Sequence, residues 1–182
     1  YGDSKKFPLN ELSQTSPKNI YGLTKKNNEE MVDIFFKNSN TKCVGFRFFT
    51  VFGEWGRPDM LIFKYLKENL DKKKFILNEG GKHLRDFTYI EDVVKILIKL
   101  SKIKIKKKYE IFNICSNKPI KVKTVINLIN SKFKNFNFIS KSSKQLKKIE
   151  VKITHGNNDK IKKLIKNYKF KKFKSALSST IN

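Results

Sequence analysis

SPKNIYGLTKKNNEEMVDIFFKNSNTKCVGFRFFTVFG, residues 16–53, is the stretch whose reading decides the fold. Ser16-Pro17 reads as a helix start, with the hydroxyl as N-cap and proline, which lacks an N–H, at the first helical position. The helix is predicted to run to about residue 38 and to bury Ile20, Leu23, Met31, Ile34 and Phe35. Residues 42–49 then read as a strand with Val44, Phe46 and Phe48 on one face. A helix leading into a buried strand is one step of a parallel α/β sheet.

Outward from this unit, residues 50–58 read as a loop holding Gly53, Gly56, Pro58 and a lone arginine, Arg57. Met60, Phe63, Leu66 and Leu70 mark a second helix. Residues 75–77 and 84–89 read as short strands joined by the NEGGK turn at 78–82. A third helix over 91–100 has Val94, Leu97 and Ile98 as its apolar positions. A strand at 109–115 and a helix at 122–133 follow. Past residue 138 the pattern weakens until Asn158-Asp159 caps a short helix reaching Ile165, and a last helix starts at Ser175.

With 182 residues, 38% apolar content and 16 phenylalanines, the chain can build a core, which excludes global disorder. No stretch has the length of a membrane span, and the first residues are no signal peptide. The net charge of +25 raises the question of nucleic acid. Yet 38 of the 41 basic residues are lysine, spread over nearly every predicted exposed face, so the charge is read as background. The one dense run, KIKIKKK at 102–108, reads as a solvated connection. Cys43 and Cys115 fall in predicted strands and read as buried, reduced thiols, which fits a cytoplasmic setting. His83 and His155 have no metal-ligand company, so no metal is expected.

The chemistry is concentrated in YGLTK and RFFTVFGEWGRPDM. Tyr21 and Lys25 stand at i and i+4, on one helix face. A phenol with a pKa of about 10 is a poor base at neutral pH. A neighbouring cation stabilises the phenolate, which makes such a pair able to take a proton from a sugar hydroxyl and return it. Arg57 offers a planar fork for a carboxylate. In a chain that nearly always chooses lysine, a retained arginine is informative.

YGLTK, RFFTVFGEWGRPDM and HLRDFTYIEDVV, in this order and spacing, resemble the C-terminal half of an extended short-chain dehydrogenase/reductase. Within the NAD-dependent epimerase/dehydratase family, the resemblance is to the UDP-glucuronate 4-epimerase group. It is strong up to about residue 116 and looser beyond, where FNICSNKP and GNNDKIKKLI still have counterparts. No GxxGxxG or GxGxxG turn occurs, so the half carrying the NAD pyrophosphate turn and the catalytic Ser/Thr is expected upstream of Tyr1. The given piece alone is then expected to be inactive.

The resemblance implies roles residue by residue. Tyr21 is the catalytic base. Lys25 lowers its pKa and hydrogen-bonds the nicotinamide ribose, so both residues are expected at the NAD cofactor. Thr50 stands where galactose epimerases and 4,6-dehydratases of the superfamily typically carry Asn. Arg57 grips the glucuronate carboxylate from the wall opposite the phenol, and Arg85 binds the substrate diphosphate. A structural reading instead makes Arg57 a loop arginine and pairs Arg85 with Glu91 or Asp92. Arg47 reads as structural, paired with a carboxylate, and Asp86 as fixing a turn.

The fold implied is α/β. Residues 1–54 form the C-terminal part of a Rossmann-type NAD-binding domain, and residues 55–182 mainly a smaller UDP-sugar domain, with strand 109–115 returning to the sheet. The implied function is NAD-dependent interconversion of UDP-glucuronate and UDP-galacturonate through a 4-keto intermediate, by a homodimer, in polysaccharide precursor supply. The alternatives are another epimerase, decarboxylase or dehydratase of the superfamily, or a basic nucleic-acid-binding protein. Thr50 with Arg57 favours the first reading. The diffuse lysines speak against the last.

Overall fold

Asn19 starts the first helix. Its side-chain oxygen accepts the Gly22 N–H at 2.8 Å, satisfying one of the donors a helix start leaves open. Helix α1 then spans Ile20–Lys37. The predicted cap at Ser16-Pro17 is thus corrected by one turn to Asn19, and the Ser16 N–H is held by the Tyr1 carbonyl. The computed structural model describes residues 1–142 and 150–182.

Strand β1 (Cys43–Phe48) lies parallel to β5 (Tyr109–Ile114), with Phe46 opposite Phe112. The segment read as a loop begins with a short strand, β2 (Thr50–Phe52), parallel to β4 (Leu84–Tyr89). Strand β6 (Pro119–Lys121) joins β4 on its other edge, antiparallel. Strand β3 (Phe75–Asn78) does not pair with β4 despite the tight turn between them. It runs parallel to β7 (Phe138–Lys141). The helices are α2 (Leu61–Leu70), α3 (Ile90–Ser101), α4 (Val122–Asn130), α5 (Asp159–Leu164) and α6 (Phe173–Ile181). Helix α6 thus starts before the predicted Ser175.

Two apolar cores result. One joins α2, α4 and α6 to the β2–β4–β6 sheet, with Tyr65, Phe87, Val125 and Ile126 at its centre. The other packs α3 and α5 against β5, with Ile96, Phe112, Ile114 and Ile161 fully buried. The chain crosses between them: β4 belongs to the first core and α3, which follows directly, to the second.

The helix faces differ from their predicted phases. Ile20, Leu23, Met31, Ile34 and Phe35 of α1 are exposed rather than buried. The helix packs on β1 and β5, its half-buried positions are Gly22, Lys26, Glu29, Val32, Asp33 and Phe36, and among the described residues no element covers the apolar side. In α2, Ile62 and Tyr65 are buried and Leu70 is exposed; the Tyr65 hydroxyl bonds Asn130 at 2.7 Å, so the ring enters the core with its polar tip satisfied. In α3 the buried residues are Asp92, Val93, Ile96 and Leu100, with Val94 and Ile98 outside. Asp92 tolerates burial because Tyr168 and the Lys171 N–H donate to it. Asn158 sits at the start of α5 without capping it; its amide reaches the Cys115 carbonyl instead. Both cysteines are free, Cys115 buried and Cys43 half-buried.

Candidate active site

Helix α1 from Tyr21 to Val32 and the whole of β1 form two walls of an open cavity of about 730 Å³. Tyr21, Lys25 and Thr50 all line it. The Lys25 ammonium stands 5.4 Å from the Tyr21 ring centre, as their one-turn spacing requires. Neither polar tip has a hydrogen-bond partner among the described residues, and Tyr21 is 72% exposed. A phenol and an ammonium are therefore presented side by side to whatever occupies the cavity.

Thr50 also lines a second, smaller pocket of about 50 Å³, together with Gly56, Arg57 and Met60. Thr50 is thus the junction between the phenol side and the arginine side. Gly53 makes the turn between them: its φ is +146°, and a Cβ there would lie 2.2 Å from Ile90 Cγ2. The loop carrying Arg57 is seated directly on the start of α3.

Arg57 does not reach across the cavity as expected. Its side chain is 76% exposed and forks onto Asp59, at 3.0 and 2.6 Å. That hydrogen-bonded carboxylate, with its charge, holds the guanidinium pKa above its ordinary value, and the Tyr21 hydroxyl is near enough to add a smaller contribution. The loop is short and solvated, and an acid two residues on is the nearest partner. Arg85 lines neither pocket. Its guanidinium is turned onto Glu150 at 3.3 Å and onto the carbonyls of Leu84 and Lys152, so neither Glu91 nor Asp92 is its partner. Burial lowers its pKa against the opposing pull of Glu150.

Asp86 is structural, but it lies within β4 and ties that strand to the segments at Ser116 and Gly156 instead of fixing a local turn. It is fully buried and accepts from the Ser116 N–H, the Ser116 hydroxyl and the Gly156 N–H. Desolvation raises its pKa, against those hydrogen bonds. Arg47 grips Glu29 through two nitrogens, Nε and Nη2, at 2.8 and 2.7 Å, and donates from Nη1 to the Tyr1 hydroxyl at 2.8 Å. The sequence reading passed over Glu29. Its position eight residues past Tyr21 and four past Lys25 places it on the same helix face, a signal that periodicity alone carries.

The model of the NAD dependent epimerase/dehydratase family matches residues 1–115. The chain belongs to that family. An uncharacterized protein of Methanocaldococcus jannaschii, MJ1055, is 42% identical over 130 residues, covering 71% of this chain and 39% of its own length. UDP-glucuronate 4-epimerase 2 of Arabidopsis thaliana is 41% identical over 99 residues, covering 52% of this chain and 23% of the plant protein. Among solved structures, UDP-glucuronic acid 4-epimerase from Bacillus cereus, in complex with UDP-glucuronic acid and NAD, superposes with a TM-score of 0.86. It is 25% identical, and the match covers 97% of this chain and 55% of that one. The chain thus spans well under two thirds of the length of these relatives. Epimerase/dehydratase family members are NAD-dependent enzymes acting on nucleotide sugars. Among the described residues no helix is long and apolar enough to cross a membrane.

Proposed function

We propose that this protein contributes the proton-transfer and sugar-binding residues of an NAD-dependent UDP-glucuronate 4-epimerase. The observation that carries the reading is the convergence of Tyr21, Lys25 and Thr50 on one cavity, with Arg57 in the pocket that Thr50 shares. The unpaired hydroxyl and ammonium fit the nicotinamide ribose of NAD, which Tyr21 and Lys25 would hold. When bound, NAD supplies the hydride acceptor and donor for C4 of the sugar.

Tyr21 takes the 4-hydroxyl proton as that carbon is oxidised to a ketone, and returns it when the ketone is reduced from its other face. Lys25 keeps the phenolate charge stabilised throughout. Thr50 borders the ring on the side away from α1. Arg57 exchanges Asp59 for the sugar carboxylate and holds it bidentately. That grip matters because a ketone β to a carboxylate is prone to lose carbon dioxide. Arg85 is assigned the diphosphate, which requires it to leave Glu150.

Residues 1–54 belong with the NAD domain and residues 55–182 mainly with the sugar domain; the β1–β5 pairing supports the return of residues 109–115 to the first sheet. The exposed apolar side of α1 supports a homodimer built on that helix. The free thiols support a cytoplasmic site of action, with polysaccharide precursors as the product's destination. The diffuse lysines require no nucleic-acid partner. Given UDP-glucuronate and NAD, the full-length protein is expected to yield UDP-galacturonate on chromatography of the nucleotide sugars, and residues 1–182 alone are expected to give no turnover. A UDP-pentose as the main product overturns the assignment in favour of a decarboxylase.

A further inference from the structure

Helix α1 contains two lysine-to-glutamate pairs at the same spacing and in the same order, one residue apart. Lys26 and Glu30 form an ion pair at 3.6 Å, and Lys64 with Glu68 on α2 repeats the arrangement at 3.8 Å. Lys25 and Glu29 do not pair, although nothing in their spacing distinguishes them. The difference is that Glu29 is already occupied: Arg47, reaching up from β1, takes both of its oxygens. The pair is largely screened from water, with the side chains 15% and 27% exposed. Arg47 is itself fixed from three directions, by Glu29, by the Tyr1 hydroxyl and by the Glu11 carbonyl.

We propose that Arg47 is a positioning residue that withholds the Glu29 carboxylate from Lys25, leaving the ammonium free to act on Tyr21. The inference rests on Tyr21 being the base of the reaction, but its cause is local electrostatics. A carboxylate one turn along the helix would otherwise neutralise the cation that the phenol depends on. The remaining charges around the pair do not substitute for Arg47. Lys26 is committed to Glu30, and Arg57 to Asp59. The Cys43 thiol on β1 and the Tyr109 phenol on β5 line the same cavity but carry no positive charge. Tyr1 is an acceptor for Arg47 and donates onward to Asn113 at 2.6 Å, which ties the arginine to β5.

The test is a titration of Tyr21 that does not depend on turnover. In the NAD-bound protein labelled with ¹³C at the tyrosine ring carbon bearing oxygen, the Tyr21 resonance is identified by its absence in Tyr21→Phe and followed with pH. In Arg47→Gln the Tyr21 transition is expected to rise by about one pH unit. Adding Glu29→Gln to that variant is expected to return it to the native value, because the competing carboxylate is gone. Glu29→Gln alone is expected to leave the transition unmoved or lower it, which covers the case in which Arg47→Gln does not fold. An unmoved transition in folded Arg47→Gln, a rise that the second substitution leaves in place, or a rise in Glu29→Gln alone overturns the proposal. The basic limb of the kcat profile with UDP-glucuronate is expected to shift in parallel. A moved resonance in a protein that turns over no UDP-glucuronate would leave this inference standing and remove the substrate reading instead.

Discussion

On the proposed reading Tyr21 acts through a single oxygen atom, so the variant that tests it removes that atom alone. Tyr21→Phe is expected to lower kcat by about 10²–10⁴-fold while binding of UDP-glucuronate, measured by calorimetry, persists. Asp59 makes a complementary prediction. Because its carboxylate already fills the Arg57 fork, a sugar carboxylate must displace it. Asp59→Asn is therefore expected to lower KM for UDP-glucuronate by about two- to fivefold, the scale of an exposed ion pair, with kcat little changed. An unchanged KM would show that Arg57 does not hold the sugar. Away from the site, the Tyr89 phenol is pushed up to about 12 by burial and by the Glu54 carboxylate to which it donates. The folded chain then binds that proton more tightly than the unfolded chain, whose phenol titrates at about 10. Stability from this group is full below about pH 10 and is lost as pH rises toward 12. Urea midpoints across that window are expected to fall less steeply in Tyr89→Phe; the Tyr109 phenol, also pushed up to about 12, preserves part of the slope.

At the scale of elements, the sequence made legible the helices and four of the strands, but not the short strands Thr50–Phe52, Pro119–Lys121 and Phe138–Lys141. It did not show which way the helices face. The apolar residues of α1 and α3 occupy more than one side, and the side that is buried is settled by what the fold sets beside it. For α1 that partner is a two-stranded sheet, to which Glu29 is ion-paired through Arg47, with Val32 half-buried and Met31 and Phe35 left outside. Strand pairing was illegible for a related reason. Residues 75–78 and 84–89 are neighbours in the chain, yet each pairs with a strand far away in sequence, and no local pattern encodes that choice. The start of α1 was misread because Pro17 is a strong but not decisive signal beside Asn19, which makes the actual cap. Asn19→Ala is expected to cost about 1 kcal/mol of stability, read as a lowered midpoint in urea.

At the scale of the molecule, the two cores are not consecutive along the chain, since β4 feeds one and α3 the other. Neither can be lost without pulling on the segment that anchors its neighbour. Ile96→Ala in one core and Ile126→Ala in the other, both at fully buried positions, are each expected to cost about 2–5 kcal/mol. Both should shift one common urea transition rather than split it. The candidate site was legible where it depended on spacing within one element, as with Tyr21 and Lys25. Thr50 and Arg57 were legible as neighbours in the chain, but the exposure of Arg57 and its fork onto Asp59 were not. Arg47 and Glu29 belong to different elements, and only folding brings them together. The seating of Gly53 against Ile90 has one more consequence. A turn pressed that closely onto a helix has little slack, so the backbone entering the Arg57 loop is tied to the start of α3, while the exposed guanidinium beyond it stays free to change partners. On the proposed reading, new sugar preferences would come from exchanging side chains along this rail, not from bending the rail itself.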